Sequence, residues 1–176
     1  MDQNGQADPH NLESFRGYLT FLARLHLDPR LKNRLDSEDI VQETMLKAHK
    51  NIEQFKGRPG QFKGWLRTIL LRTMLDEIGK LPPDEAQEKS SSRIGSLIPD
   101  DGTTPSEKAQ KEEDAMRLED ALAKLPERQR EVLQLRYFHG WAVKEICLHL
   151  KLSLPAVAGL LHNGVKNMRK HLEESE

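Results

Sequence analysis

The stretch from Leu118 to Leu172 constrains the fold of this chain most, because its turn signals and apolar spacings define three successive helices. Pro126 lies at the start of the first helix and Gly140 at its end, positions where proline and glycine are favoured. A short helix from Ala142 to Leu150 follows, and Ser153 can cap the third. The third helix repeats apolar residues at spacings of three and four: Val157, Leu161, Val165, Met168 and Leu172.

A short helix, a tight turn at Lys151 and Leu152, and a capped second helix form the pattern of a helix-turn-helix. This motif places its second helix in the major groove of DNA. The same spacing also fits an ordinary helical hairpin in an all-α core. Spacing alone leaves both interpretations open.

Composition extends the helical interpretation to the rest of the chain. The chain has 176 residues, of which 36% are apolar, and a mean hydropathy of −0.70, so it has few apolar side chains with which to form one large core. Aromatic residues make up 5%, and alternating β-branched runs are rare. We therefore expect an all-α protein with two small helical domains, joined by a flexible acidic linker, of which the C-terminal one is a helix-turn-helix.

The distribution of charge supports this division, although the net charge is only −1. Residues 12–80 carry a net +4 and residues 117–172 a net +5, whereas residues 81–116 carry −5. Basic blocks separated by an acidic one suit a protein that binds nucleic acid with two surfaces. The predicted boundaries are a disordered N-terminus at 1–11, a first domain at 12–80, a linker at 81–113 and a second domain at 114–172.

The first domain contains two further helices that could bind a partner. Asp36 caps a helix that buries Ile40 and Val41 and leaves polar side chains on its other face. After a Gly- and Pro-containing loop, a helix from Phe62 to Lys80 carries aromatic residues beside cations. Such a mixture can stack bases and track phosphates in single-stranded DNA, and it also fits a structural core.

Three segments resemble bacterial sigma factors of the extracytoplasmic-function group of the sigma-70-type family: DSEDIVQETMLKAHKNIEQFKG, FKGWLRTILLRTMLDEIGK and LPERQREVLQLRY with the helices after it. The resemblance covers both domains. It implies that the first segment docks on core RNA polymerase through Asp39, Gln42, Glu43 and Thr44.

The resemblance also implies two DNA-binding sets. In the second segment, which melts and reads the minus-10 element in that family, these are Lys63, Trp65, Arg67, Arg72 and Asp76. Arg72 stands where the family usually has asparagine, and Leu71 and Glu77 where it has arginine. In the helix-turn-helix the implied minus-35 contacts are Lys144, Ser153, His162, Asn163 and Lys166. The recognition helix departs from the family, with Ala158, Leu160 and Asn163 where cations are common.

The resemblance predicts a sigma factor that binds core RNA polymerase and promoter DNA and catalyses no reaction; whether an anti-sigma factor is also a partner stays open. One alternative is a free-standing helix-turn-helix regulator, which would not need the polymerase-docking helix. Another is a small helical enzyme using His26, His49, Asp76 or Cys147, but these residues form no catalytic spacing.

No cofactor or metal site is predicted, because the sequence has no metal-spaced cluster or phosphate-cradling loop. Cys147 lies on an apolar helix face and is expected to be a buried structural thiol. The sequence has no apolar run long enough for a membrane span and no secretory signal, so a cytoplasmic location without membrane insertion is expected.

Overall fold

A computed structural model describes residues 11–58, 61–99, 102 and 104–174. In these residues the secondary structure is helical, without strands, and the chain divides into a first unit (1–108) and a second unit (109–176). The all-α prediction is therefore confirmed. The predicted disorder of the N-terminus falls almost entirely on residues 1–10, which lie outside the described part.

The described residues up to 97 form four α-helices, and short 3₁₀ turns lie before the first, between the first two and after the second. The helices are α1 (Arg16–His26), α2 (Ser37–Asn51), α3 (Phe62–Gly79) and α4 (Glu85–Leu97). Asp36 caps α2 as predicted, since its carboxylate accepts a hydrogen bond from the Glu38 backbone N–H at 2.8 Å.

Helix α3 is the central element of the first unit, because α1, α2 and α4 all pack against it. Its buried residues are spread around the helix rather than confined to one stripe, which is the pattern of a helix enclosed by others. They include Phe62, Leu66, Leu70, Leu71, Met74 and Ile78.

The flexible linker predicted at 81–113 is wrong for residues 85–97, which form α4 and pack on α3, and for residues 105–113, which lie in the helix Pro105–Ala123. Ile94 is fully buried, and the Arg93 guanidinium donates to the backbone carbonyl of His26 at the end of α1. Asp84 caps α4 and pairs with Arg34 at 2.8 Å. The Gln87 backbone N–H and, to a smaller extent, Arg34 hold the pKa of Asp84 below its usual range.

The second unit contains the predicted helix-turn-helix. Helix α5 (Pro105–Ala123) leads into α6 (Glu127–Leu133), which continues as a π-helical turn over Gln134–Phe138, then α7 (Val143–Leu150) and α8 (Leu154–Glu173). The core of the unit combines fully or largely buried side chains from several elements: Val132, Leu135, Trp141, Ile146 and Val157. Cys147 packs against this core but is only half-buried, whereas a buried thiol was expected.

The turn between α7 and α8 has a left-handed residue at Lys151, with φ 53° and ψ 43°. The Leu152 N–H donates to the Cys147 carbonyl at 3.0 Å and closes α7. Ser153 then caps α8 as predicted, accepting from the Ala156 N–H at 3.4 Å. Glycine would be the ordinary residue at a left-handed position of this kind.

No helix among the described residues combines the length and apolar character that a membrane crossing requires.

Candidate functional site

The exposed side of α2 carries acidic and polar residues at its start and an apolar residue further along. Asp39 and Gln42 are exposed and Glu43 is half-exposed. Leu46, one turn after Gln42, is 47% exposed, and the sequence prediction did not include it. Gln42 also accepts weak hydrogen bonds from Arg16 of α1, at 3.4 and 3.5 Å. We refer to Asp39, Gln42, Glu43 and Leu46 as the α2 surface.

Thr44 does not belong to the α2 surface. Its side chain is fully buried, and its hydroxyl donates to the Ile40 carbonyl at 2.7 Å. The predicted contact between Thr44 and a partner is therefore corrected, because an enclosed hydroxyl committed to the backbone cannot reach another protein. The sequence signal for this was available, since Thr44 lies four residues from both Ile40 and Ala48, which are buried too.

The start of α3 and the loop before it form an aromatic edge. Trp65 is half-buried, and its ring lies 5.4 Å from that of Phe55 and 5.3 Å from that of Phe62, measured between ring centroids. Phe62 is fully buried and is therefore core, whereas Phe55 and Trp65 keep accessible surface. Phe55 was missed by the sequence prediction, although it directly precedes the cation Lys56.

Cations lie around this aromatic edge. The Lys63 ammonium lies 4.3 Å from the centroid of the Tyr18 ring, in a cation–π contact. Lys56 and Arg58 are exposed on the preceding loop. An accessible aromatic pair with cations beside it can stack unpaired bases while balancing phosphate charge.

The other three residues predicted for this DNA surface differ in exposure. Arg72 is exposed and can reach a partner. Arg67 is only 3% exposed, so the prediction that it contacts DNA is wrong; its guanidinium is held inside the unit. Asp76 is exposed, and its carboxylate pairs with Lys47 of α2 at 3.0 Å. Phosphates would repel this carboxylate. Its ion pair with Lys47 therefore fits a role in holding α2 against α3 better than a direct contact with DNA.

All five residues predicted for the helix-turn-helix surface are exposed. Lys144 lies in the first turn of α7, and Ser153 is the cap of α8. The other three lie on the solvent side of α8: His162, Asn163 and Lys166.

A concave surface beside α8 adds residues that the sequence prediction did not include. It encloses about 600 Å³ and is lined by Tyr137 and by His162, Lys166 and Arg169 among others. Tyr137 is 65% exposed and comes from the π-helical turn before α7. The cations of α8 therefore cluster in its second half, beside an exposed phenol.

Two family profiles match the chain, one on each unit. Residues 13–81 match "Sigma-70 region 2", and residues 115–168 match "Sigma-70, region 4". The first match contains the α2 surface and the aromatic edge, and the second contains the helix-turn-helix.

Several RNA polymerase sigma factors are similar in sequence to this chain along most of their length. The RNA polymerase sigma factor SigV of Bacillus subtilis is 30% identical, over 83% of this chain and 81% of that protein. The ECF RNA polymerase sigma factors SigW of Bacillus subtilis and SigL of Mycobacterium tuberculosis are 29% and 28% identical, over 82% and 78% of this chain and 79% and 75% of theirs. A solved RsbN–BldN complex aligns with 95% of this chain and 92% of its own, at 17% identity and a TM-score of 0.36.

Proposed function

Because the chain belongs to the sigma-70 family of RNA polymerase sigma factors, in its extracytoplasmic-function group, we propose that its two units bind separate parts of the initiation complex. The chain is a sigma factor that binds core RNA polymerase and directs it to promoter DNA. The observation that carries the division of roles is that the two family matches fall on two units, each with an exposed surface of its own. A free-standing helix-turn-helix regulator would not need a domain that matches sigma-70 region 2.

The α2 surface is the proposed contact with core polymerase. Acidic and polar residues around an exposed leucine have the composition of a protein interface, with an apolar centre and a polar rim. Asp39 and Glu43 supply negative charge that can pair with a basic partner surface. Thr44 contributes by fixing the packing of α2 rather than by contact.

The aromatic edge is the proposed contact with melted minus-10 DNA. Phe55 and Trp65 offer ring faces on which unpaired bases can stack, and Lys63 and Arg72 can balance phosphates. Asp76 acts through its ion pair with Lys47, which aligns α3 with α2.

The helix-turn-helix of the second unit is the proposed contact with the minus-35 element. Lys144 and Lys166 balance phosphates, and Ser153, His162 and Asn163 lie on the exposed part of α8 that would enter the major groove.

We propose further that the chain performs no catalysis of its own and acts in the cytoplasm, where transcription takes place.

Charge reversal on the α2 surface tests the polymerase contact. The variant Glu43→Lys should weaken binding to core polymerase by about tenfold or more. The new positive charge would be repelled by the basic surface with which the glutamate is proposed to pair. Binding can be measured by fluorescence anisotropy of the labelled chain, and promoter-directed transcription by run-off assays with core enzyme. Glu43 is half-exposed, so the thermal unfolding midpoint should stay close to that of the parent chain.

Glu88→Lys is the matched control, since it makes the same charge change on the exposed side of α4. It should leave core binding unchanged. Full core affinity in Glu43→Lys, or equal losses in the two variants, would contradict the proposed surface.

A further inference from the structure

We propose that the concave surface beside α8 holds the DNA backbone at the edge of the minus-35 element. There the Tyr137 hydroxyl donates a hydrogen bond to one phosphate, and Lys166 and Arg169 balance the phosphate charge. The inference rests on the proposed function, which places the first half of α8 in the major groove. It adds an anchoring residue that lies outside the recognition helix and that the sequence prediction did not include.

The cations of this surface lie on one side of α8. Steps of four and three residues return to nearly the same direction on a helix, so His162, Lys166 and Arg169 are neighbours along it. All three line the concave surface beside α8. Since His162 belongs to the stretch proposed to enter the groove, the concave surface continues directly from that stretch.

The length of α8 places this surface beyond the base edges. The N-terminal residues of a recognition helix contact the bases, and α8 begins at Leu154. Lys166 lies about 18 Å further along at about 1.5 Å rise per residue. The major groove is only about 12 Å wide and about 8.5 Å deep. Lys166 and Arg169 therefore lie where α8 leaves the groove, at the level of the phosphates.

Tyr137 approaches this surface from the π-helical turn before α7. Its side chain lines the concave surface and is 65% exposed. The His139 N–H donates to the Gln134 carbonyl at 3.0 Å and closes the turn. Turns of this kind are rare and frequently lie at functional sites. A tyrosine has few rotatable bonds, so it can offer its hydroxyl to a ligand at a small cost in conformational entropy.

The lining of the concave surface suits a sugar-phosphate backbone. Leu161 and Val165 are half-buried and give it an apolar part, on which a deoxyribose ring can pack. The Tyr137 hydroxyl forms no hydrogen bond with another described residue, so it is available to a phosphate oxygen. Tyrosine is one of the side chains that donate to DNA phosphates, and such contacts fix the position of a protein on the duplex.

The charge of the lining is positive in the described residues. Lys166 and Arg169 form no ion pair with another described residue. Lys170 also lines the surface, but it pairs with Glu174 at 3.8 Å. Glu173 contributes a carboxylate at the end of α8. An acidic peptide would meet the same charges, but the continuity with the groove-entering stretch of α8 favours DNA.

Neutral phosphates in the promoter test this contact. The full chain is bound to core polymerase, and a promoter is selected from a pool with a randomised minus-35 element. Each phosphate of the selected element and its flanks is then replaced in turn by methylphosphonate, which has no charge. At one phosphate at the edge of the element, the replacement should reduce complex formation about tenfold, because a charge-assisted hydrogen bond is lost.

A variant assigns that phosphate to its residue. Tyr137→Phe removes only the hydroxyl and should weaken complex formation on the unmodified promoter about fivefold. On the promoter with methylphosphonate at that phosphate, it should weaken the complex by less than about twofold further, whereas elsewhere the two effects should multiply. Tyr18→Phe is the matched control in the first unit, and it should keep the full methylphosphonate effect at that phosphate.

The salt dependence separates the hydroxyl from the cations. Arg169→Ala should make the dependence of complex formation on salt shallower, because fewer counterions are released. Tyr137→Phe should leave this dependence unchanged, since a hydroxyl neutralises no phosphate. A shallower dependence in Tyr137→Phe would contradict the role of a neutral donor.

The outcomes separate this inference from the proposed function. Effects of Tyr137→Phe and methylphosphonate that multiply at every position would overturn the inference alone. Weaker binding of Tyr137→Phe to core polymerase without DNA would also overturn it and would identify the surface as a protein contact. A chain that brings polymerase to no promoter in the pool would overturn the proposed function and the inference together.

Discussion

Lys151 has a left-handed backbone conformation, which residues other than glycine rarely adopt. Among the described residues it is the one non-glycine with a positive φ, whereas the other positive φ, 68°, belongs to Gly140. A Cβ at such a φ lies close to the backbone and raises the free energy of the folded state. The side chain of Lys151 is exposed, so nothing in the packing of the unit requires a lysine here.

Replacing Lys151 should therefore stabilise the second unit when the new residue is glycine. We expect Lys151→Gly to raise its free energy of unfolding by up to about 1 kcal/mol, after the entropy that glycine gains in the unfolded chain is subtracted. Urea unfolding followed by Trp141 fluorescence, in a Trp65→Phe background, reports on this unit. Lys151→Ala removes the charge but keeps the Cβ and should give no stabilisation. Equal effects of the two variants would mean that charge, not backbone strain, matters.

At the scale of whole elements, α4 shows how a polar segment becomes part of a core. The segment is rich in serine and acidic residues, and its apolar content is low. It is nevertheless attached to the first unit at both ends. Asp84 pairs with Arg34 near its start, and Arg93 and Ile94 contact α1 and α3 near its end. A few well-placed contacts are enough because a helix needs only a narrow apolar stripe to pack.

Two neighbouring substitutions in α4 should change stability in opposite directions. Ile94→Ala should lower the free energy of unfolding of the first unit by about 2–5 kcal/mol, because the buried side chain leaves a cavity. Gly95→Ala should raise it by about 0.5–1 kcal/mol, since a Cβ there meets no atom within 4 Å and alanine favours the helix. Hydrogen exchange of the α3 and α4 amides, measured in urea, follows this unit. Unchanged exchange in Ile94→Ala would show that α4 is not held on α3.

At the scale of the whole molecule, the proposed binding surfaces belong to two units, and few cations serve the one in the second unit. On α7, α8 and the turn between them, the second unit exposes the cations Lys144, Lys151, Lys166, Arg169 and Lys170, with none in the first half of α8, and Lys170 pairs with Glu174 at 3.8 Å. Few phosphates can then be neutralised by this unit alone. We expect binding through core polymerase to raise the effective concentration of the unit near promoter DNA and to compensate for weak direct contacts.

The salt dependence of DNA binding should reflect this charge distribution. Without polymerase, we expect the full chain to bind duplex minus-35 DNA weakly, with a slope of log K against log salt no steeper than about −4, one unit per available cation. Arg169→Ala should make this slope shallower by about one unit. Arg128→Ala, which breaks an ion pair with Glu131 on α6, is the control and should not change it. Tight binding with a much steeper slope would contradict the prediction.

Features that depend on a few consecutive residues could be read from the sequence. The caps at Asp36 and Ser153, the turn at Lys151 and the apolar repeat of α8 follow from local hydrogen bonding and helical periodicity, and the structure has all of them. The exposed positions Asp39, Gln42, His162 and Asn163 could be predicted for the same reason. They lie opposite apolar residues on their own helices.

Only the tertiary structure determined which side of each helix is covered by neighbouring helices. Arg67 is charged yet buried, and Leu46 is apolar yet half-exposed, because neighbouring helices cover one side and leave the other open. The attachment of α4 likewise depends on Arg93 meeting a carbonyl of α1, a residue far away in sequence. Burial is a property of packing between distant segments, so periodicity within one segment could indicate a helix but could not determine what covers it.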